Sequence, residues 1–521
     1  MESCVAALRK ALEHPVVYTG LLPIVTTDDY NTIVAFSSVK IKSCKSMIES
    51  GSALARKSKG QNAGRFALWI AAAVSSLGGF LFGYDNIVIS GAIGHLSKYF
   101  QLQPASIGWA AGCALIGCLF GSATAGGVAD RFGLKRALYA CAGCFALSSL
   151  GVLISGSFSQ YVAWRIVGGI GIGAASIVAP MYIAEIAPAK VRGRLVVLYQ
   201  FGIVTGILCA VYVNMLIERS GSESWQVAHG WRWMFAAAAI PAIVFAIVIA
   251  FSQESPRWLM KVGRQAQAKH VLAVINGEVA ARSEAASIEQ SLAEEEGGLR
   301  ELFRGPFRRA LIIGFLLAAF SQTSGITSLL SFLPEVFKSA GQKASDAFFQ
   351  SVLVGVVNLI FTLFAIWLVD KAGRKTLILF GTCLQTLSLA LVASLYMLAA
   401  TGNGILGGIM AFVAGHAIGN GAVCWVIISE IFPTKVRGMA MSIATTAIWI
   451  FAYLADQFFP LLQARLGSSG TFFVFAAMAA INFIFVVLFV PETKGYSLEQ
   501  ISHIWLPRTV PHADAANTRS R

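Results

Sequence analysis

Glu185-Ile-Ala-Pro188-Ala-Lys190-Val-Arg192-Gly193 returns 245 residues later as Glu430-Ile-Phe-Pro433-Thr-Lys435-Val-Arg437-Gly438. A second pair of stretches matches at an offset of 240: Asp130-Arg131-Phe-Gly133-Leu-Lys135-Arg136 and Asp370-Lys371-Ala-Gly373-Arg374-Lys375. Two matches at nearly one spacing mark an internal duplication, and a duplication decides the architecture before any single segment does. Each copy stands where an apolar run ends. The repeated unit is therefore a set of apolar segments joined by short basic loops.

The rest of the chain agrees. Of its 521 residues 56% are hydrophobic and 13% charged, with a mean hydropathy of +0.69. Soluble domains carry about 25% charged residues, so a water-soluble enzyme is excluded, as is disorder over most of the length. Lipid offers no partner to free backbone groups, so the spanning segments must be helices, each of about 20 apolar residues. Twelve runs qualify: 66–91, 106–129, 137–155, 161–184, 195–217, 233–252, 309–333, 347–369, 376–399, 405–429, 438–462 and 470–490. Basic residues follow the even spans 2, 4, 8 and 10, whereas loops 156–160 and 400–404 hold no Lys or Arg. An even count and this bias place both termini in the cytoplasm. The net charge of +14, from 40 Lys and Arg against 26 Asp and Glu, then reads as basic loops beside anionic lipid and not as a nucleic-acid partner.

The expected organisation has five parts. Residues 1–65 form a low-order cytoplasmic tail, or in part a mis-assigned start ahead of Met47. Residues 66–252 form one six-helix half. A charged cytoplasmic linker, 253–308, carries an amphipathic helix from Ser283 to Glu296. Residues 309–490 form the second half, and 491–521 a short cytoplasmic tail. Cys141 and Cys144 have a redox-like spacing but lie within an apolar run, where thiols act as packing groups. Neither a nucleophile–base set nor a Cys/His cluster appears in the loops, so no enzyme activity, metal or cofactor is expected.

Several further motifs occur together: Gly78-Gly-Phe-Leu-Phe82-Gly83-Tyr84-Asp85; Arg165-Ile-Val-Gly-Gly-Ile-Gly171-Ile-Gly173; Pro180-Met-Tyr-Ile-Ala-Glu185; Glu254-Ser255-Pro256-Arg257-Trp258-Leu259; and Pro491-Glu492-Thr493-Lys494-Gly495. In combination they resemble the sugar porter family of the major facilitator superfamily over about residues 66–497. Gln253 stands where the family usually has Pro, and Leu134 where it has a basic residue. The resemblance implies an all-α membrane protein of twelve transmembrane helices in two six-helix parallel repeats. It also implies carriage of a monosaccharide or polyol, by proton symport or passively. The glycine-rich run 168–173 follows no strand, so it reads as helix packing and not as a dinucleotide loop.

Ionisable residues inside spans are functional candidates. Asp85 in span 1 and Arg165 in span 4 are expected at similar depth, about 6–9 Å below the outer surface at 1.5 Å per residue, and within pairing reach. By resemblance, related bacterial proton symporters have Asp at this position and passive mammalian glucose facilitators have Asn, so Asp85 favours a symporter with Asp85 and Arg165 coupling protons. A passive facilitator is the runner-up. A non-transporting sensor is disfavoured by the short C-terminal tail, and a drug or organic-acid exporter by the motif set. Asp456 in span 11 and His416 in span 10 are further intramembrane groups without an assigned role.

A sugar needs amides for its hydroxyls and aromatic faces for its C–H surfaces. By resemblance these fall on Phe82, Gln200, Gln322, Asn358, Trp425 and Trp449, with Thr327 where the family commonly has Asn. Ser321 replaces a Gln and Ile448 an amide, which puts an ordinary glucose or xylose specificity in doubt. The repeated loop residues Asp130, Arg131, Glu185, Arg192, Asp370, Arg374, Glu430 and Arg437 read as a cytoplasmic latch between the halves, closed when the protein opens outward. The expected partners are the solute, protons and the lipid bilayer of a plasma or bacterial inner membrane. One chain forms a whole pathway, so a monomer suffices.

Overall fold

The computed structural model describes residues 64–293, 303, 307–399, 403–432 and 437–494. The expected N-terminal tail up to residue 63, Met47 with it, and the C-terminal tail beyond 494 lie outside the described residues. All regular structure among the described residues is helical.

Among the described residues eleven helices are long and apolar enough to cross a membrane. The last of them, Arg437–Phe489, is two spans in one, broken at Gly467 by a positive φ of 67°. The twelve spans are α1 (Gly64–Phe100), α2 (Pro104–Phe132), α3 (Leu134–Leu153), α4 (Phe158–Ile186), α5 (Val197–Arg219), α6 (Glu223–Ala250), α7 (Arg308–Ser331), α8 (Ala344–Val369), α9 (Arg374–Met397), α10 (Asn403–Ile428), α11 (437–466) and α12 (468–489). They agree with the twelve expected runs, with one correction. Span 1 does not end at residue 91: after a turn at Val88 the helix resumes as Ile89–Phe100. Its polar last turns, with His95, Ser97 and Lys98, interrupt the apolar run but not the helix. Between α6 and α7 lie shorter helices at Pro256–Lys261, Gln265–Asn276 and Glu278–Ala293. The last of these overlaps the amphipathic stretch expected from Ser283.

Within the first half, helices meet backbone to backbone. A side chain added at Gly169 would strike the carbonyl oxygen of Ala114, and one at Gly173 that of Cys118; Gly117 and Gly121 face Ile166 and Ile170 in return. The same exchange joins α1 to α5 through Gly79, Gly83, Gly202 and Gly206. Without a hydrophobic drive between helices in lipid, close van der Waals contact of this kind is what holds them. The run 168–173 is thus a packing seam of α4.

Contacts between the halves gather toward the end opposite the basic loops, here called the far end. Gln457 of α11 donates to the Ala105 carbonyl of α2 at 2.9 Å. Gly355 of α8 faces Leu208 and Val211 of α5, and Gly94 of α1 faces the carboxylate of Glu335, just beyond α7. At the basic end the described ion pairs are Lys261–Asp130, from linker to first half, and Arg374–Glu430, within the second half.

Candidate transport site

Asp85 and Arg165 meet as expected. The Nη1 of Arg165 donates to Asp85 Oδ2 at 2.8 Å, and Nη2 donates to the Asp85 backbone carbonyl at 3.1 Å. The side chains are only 2% and 1% exposed. Each charge therefore depends on the other, because an unpaired ion in such surroundings costs several kcal/mol. The guanidinium also lies 4.9 Å above the ring of Phe235 in α6, a cation–π contact that nothing in the sequence pattern indicated. Asp85 is fifteen residues from the end of α1 at Phe100 and Arg165 seven from the start of α4 at Phe158, about 10 Å in along α4.

The expected solute residues lie on both halves. Phe82 of α1 and Trp449 of α11 touch across the seam, with ring centroids 5.7 Å apart. Gln200 is half-buried and Asn358 buried, and neither amide is hydrogen-bonded among the described residues. Trp425 is half-buried against the core of the second half. Gln322 is different. Its Oε1 accepts from Thr327 Oγ1 at 2.8 Å, and its Nε2 donates to Ser321 Oγ at 3.2 Å. The two positions where the sequence departs from the family pattern thus hold the amide that remains. Gly325, with φ +80°, interrupts α7 between Gln322 and Thr327. Ile448 faces away, into the second half's core.

The basic-end residues build one device twice. In the first half Glu254 accepts from the backbone N–H groups of Lys135 (3.1 Å) and Ser255 (3.0 Å). It stands over Gly133, whose φ of +95° starts α3. The Ser255 hydroxyl donates to Glu185. In the second half Glu492 accepts from the N–H groups of Arg374 (3.0 Å), Lys375 (3.1 Å), Thr493 (2.9 Å) and Lys494 (2.9 Å). It stands over Gly373, φ +93°, and Thr493 Oγ1 donates to Glu430 at 2.5 Å. Both carboxylates sit at a helix N-terminus, where the unpaired N–H groups and the dipole favour an anion. Partial burial pushes the Glu492 carboxyl up, but the four backbone donors outweigh it and hold it below its ordinary range.

Asp130 lies at the basic end of α2. It pairs with Lys261 of the linker at 3.0 Å, both side chains being largely exposed, while its backbone carbonyl accepts from Trp258 Nε1 at 2.9 Å. Arg131 is exposed beside Phe132. Arg374 pairs with Glu430 at 3.1 Å. The side chains of Arg192, Asp370 and Arg437 lie outside the described residues. Glu254 and Glu492 were not singled out from the sequence, although Glu254-Ser255 and Glu492-Thr493 recur at an offset of 238.

Residues 71–505 match the family described as "Sugar (and other) transporter". The chain belongs to this family. Among other members, it is 39% identical over 434 residues to the arabinose-proton symporter of Bacillus subtilis, covering 83% of this chain and 94% of that one. It is 37% identical over 470 residues to the D-xylose-proton symporter of Escherichia coli, covering 84% and 95%. The fold superimposes on the inward-open conformation of the xylose transporter from E. coli with a TM-score of 0.76 at 35% identity, over 84% of this chain and all of that one. As a sugar transporter family member the chain is a multi-pass membrane carrier with the major facilitator fold and not an enzyme.

Proposed function

We propose that this chain is a proton-coupled symporter that imports a monosaccharide or polyol by alternating access, and that pentoses, arabinose before xylose, are the first substrates to try. The observation that carries the reading is the buried Asp85–Arg165 pair, since a carboxylate held by one guanidinium inside the membrane can exchange that partner for a proton. Asp85 is the proton carrier and Arg165 positions it. Protonation of Asp85 removes the attraction at 2.8 Å and frees α1 from α4, which changes the packing under Phe82. Phe82 and Trp449 supply the aromatic faces, and Gln200, Gln322, Thr327, Asn358 and Trp425 the rest of the cavity. The family relationship to arabinose- and xylose-proton symporters supports a pentose. The Gln322 amide, already held by Thr327 and Ser321, supports a solute that asks for fewer amide contacts than glucose.

The halves, 66–252 and 309–490, rock about this site, with the 253–308 linker and both termini cytoplasmic and one chain sufficient. The Asp130, Arg131, Glu185, Arg192, Asp370, Arg374, Glu430 and Arg437 sets hold the halves together when the basic end is closed.

The test is alkalinisation outside de-energised proteoliposomes on adding pentoses, hexoses or inositols. A proton signal with arabinose or xylose is expected. Equilibrative uptake of labelled sugar without a proton signal would make the protein a passive facilitator.

A further inference from the structure

Asp456 of α11 is as buried as Asp85, at 1% exposure, but no cation accompanies it. Its Oδ2 accepts from Ser331 Oγ at 3.1 Å, and its Oδ1 has no partner. The hydroxyl of Ser328, three residues earlier on the same short helix, is likewise buried and without a hydrogen-bond partner. An ionised carboxylate here would carry an uncompensated charge and an orphaned oxygen, at a cost of several kcal/mol. A proton on Oδ1 removes the charge, while Oδ2 keeps the Ser331 hydroxyl.

The surroundings make this proton conditional. α2, from the other half, covers α11 at this point: Gly112 faces the Tyr453 ring and Asp456 Cβ, Gly108 faces the Gln457 backbone, and Gln457 reaches the Ala105 carbonyl. Ser331 ends the helix that follows the break at Gly325, and beyond it Phe332 stacks on Phe459 at 5.0 Å. The titratable groups nearby are Tyr453 on α11 and Cys113 on α2; α7 presents Ser328 and Ser331. Glu335, further along, is occupied by Lys338 at 2.8 Å. None of these places a positive charge against Asp456.

We propose that Asp456 is a proton-binding site of the far-end gate, taking a proton from that side as α2 closes on α11 and returning it there when they part. The proposal rests on the reading of the chain as an alternating-access carrier, and it is independent of the solute. Opening admits water to the carboxylate and lets it ionise, so low pH on the far side favours the closed gate even without sugar. The proton does not cross the membrane, which separates this site from Asp85.

The gate can be followed in nanodiscs, without sugar, as the distance between spin labels at Gln103→Cys and Leu466→Cys in the full chain with its other cysteines replaced. Asp85→Asn is included throughout to remove that titration. The open-to-closed ratio should rise with pH by up to about tenfold per unit, the limit for one linked proton. Adding Asp456→Asn should leave the gate mostly closed at every pH. Asp456→Glu should restore a pH dependence and controls for misfolding. A pH dependence that survives Asp456→Asn, or a sodium dependence in its place, overturns the proposal. Sugar accumulation by chains retaining Asp85 is measured alongside. Failure of the unmutated chain to accumulate sugar would defeat the symport reading while the distances still decide on the gate.

Discussion

Replacing Asp85 by Asn removes one titratable proton and one charge while keeping an oxygen for Arg165 Nη1. The energetic consequence for transport is large. One proton moving down 100 mV supplies about 2.3 kcal/mol, and about 1.4 kcal/mol is a factor of ten, so one-to-one symport sustains about a 50-fold sugar gradient. The variant should sustain none. The consequence for folding is smaller than for a typical broken buried pair, which costs about 3–5 kcal/mol. Arg165 keeps its bond to the Asp85 backbone carbonyl at 3.1 Å and its seat over Phe235, so the loss should fall below that range. The assay is labelled-pentose uptake into proteoliposomes held at 100 mV, with counterflow exchange measured on the same preparation. Accumulation should fall to unity while exchange stays within a few-fold of the unmutated protein. Accumulation persisting at tens-fold would refute Asp85 as the proton carrier. Loss of exchange in a properly folded variant would refute it in another way, by making the pair structural.

Three other outcomes are expected. Gly169→Ala, which would drive a methyl into the Ala114 carbonyl, should cost about 1–3 kcal/mol in thermal unfolding, whereas Gly143→Ala, with open space around it, should be neutral or stabilising. Gln322→Ala should raise the sugar KM by about ten- to a hundredfold, the range of one to three kcal/mol for a lost buried partner, with the proton signal retained at saturating sugar. Glu492 is held below its ordinary range, so the stability it contributes is present above that range and is lost as pH falls through its lowered value. The melting-temperature gap between the unmutated protein and Glu492→Gln should therefore be full at neutral pH and close as pH falls below the ordinary carboxylate range.

The spans, the duplication and the Asp85–Arg165 pair were legible because each leaves a periodic or chemically rare mark: long apolar runs, repeated loop motifs, charges where lipid forbids them. The end of α1 was not, because hydropathy ends at residue 91 while backbone hydrogen bonding continues through polar residues to Phe100. Phe235 under Arg165 was not legible either, since one aromatic among 35 phenylalanines carries no pattern. The partner of Asp130 depends on where the linker folds back, which loop composition does not state. For Ser321 and Thr327, residue types indicated lost amides; both instead bond to Gln322.

The seams of α2 with α4 and of α1 with α5 are made of main chain pressed on main chain, with no side chain between to adjust. The joint between the halves is made mostly of side chains: Phe82 on Trp449, Gln457 on Ala105, α2 resting on Tyr453 and Asp456. The first kind of contact admits almost no residue but glycine, and the second admits many. Mutations that change the cargo can therefore accumulate along the joint while the blocks on either side keep their form. Phe82, Trp449 and Gln457 are residues of that adaptable kind, in a carrier whose glycine ladders are intact.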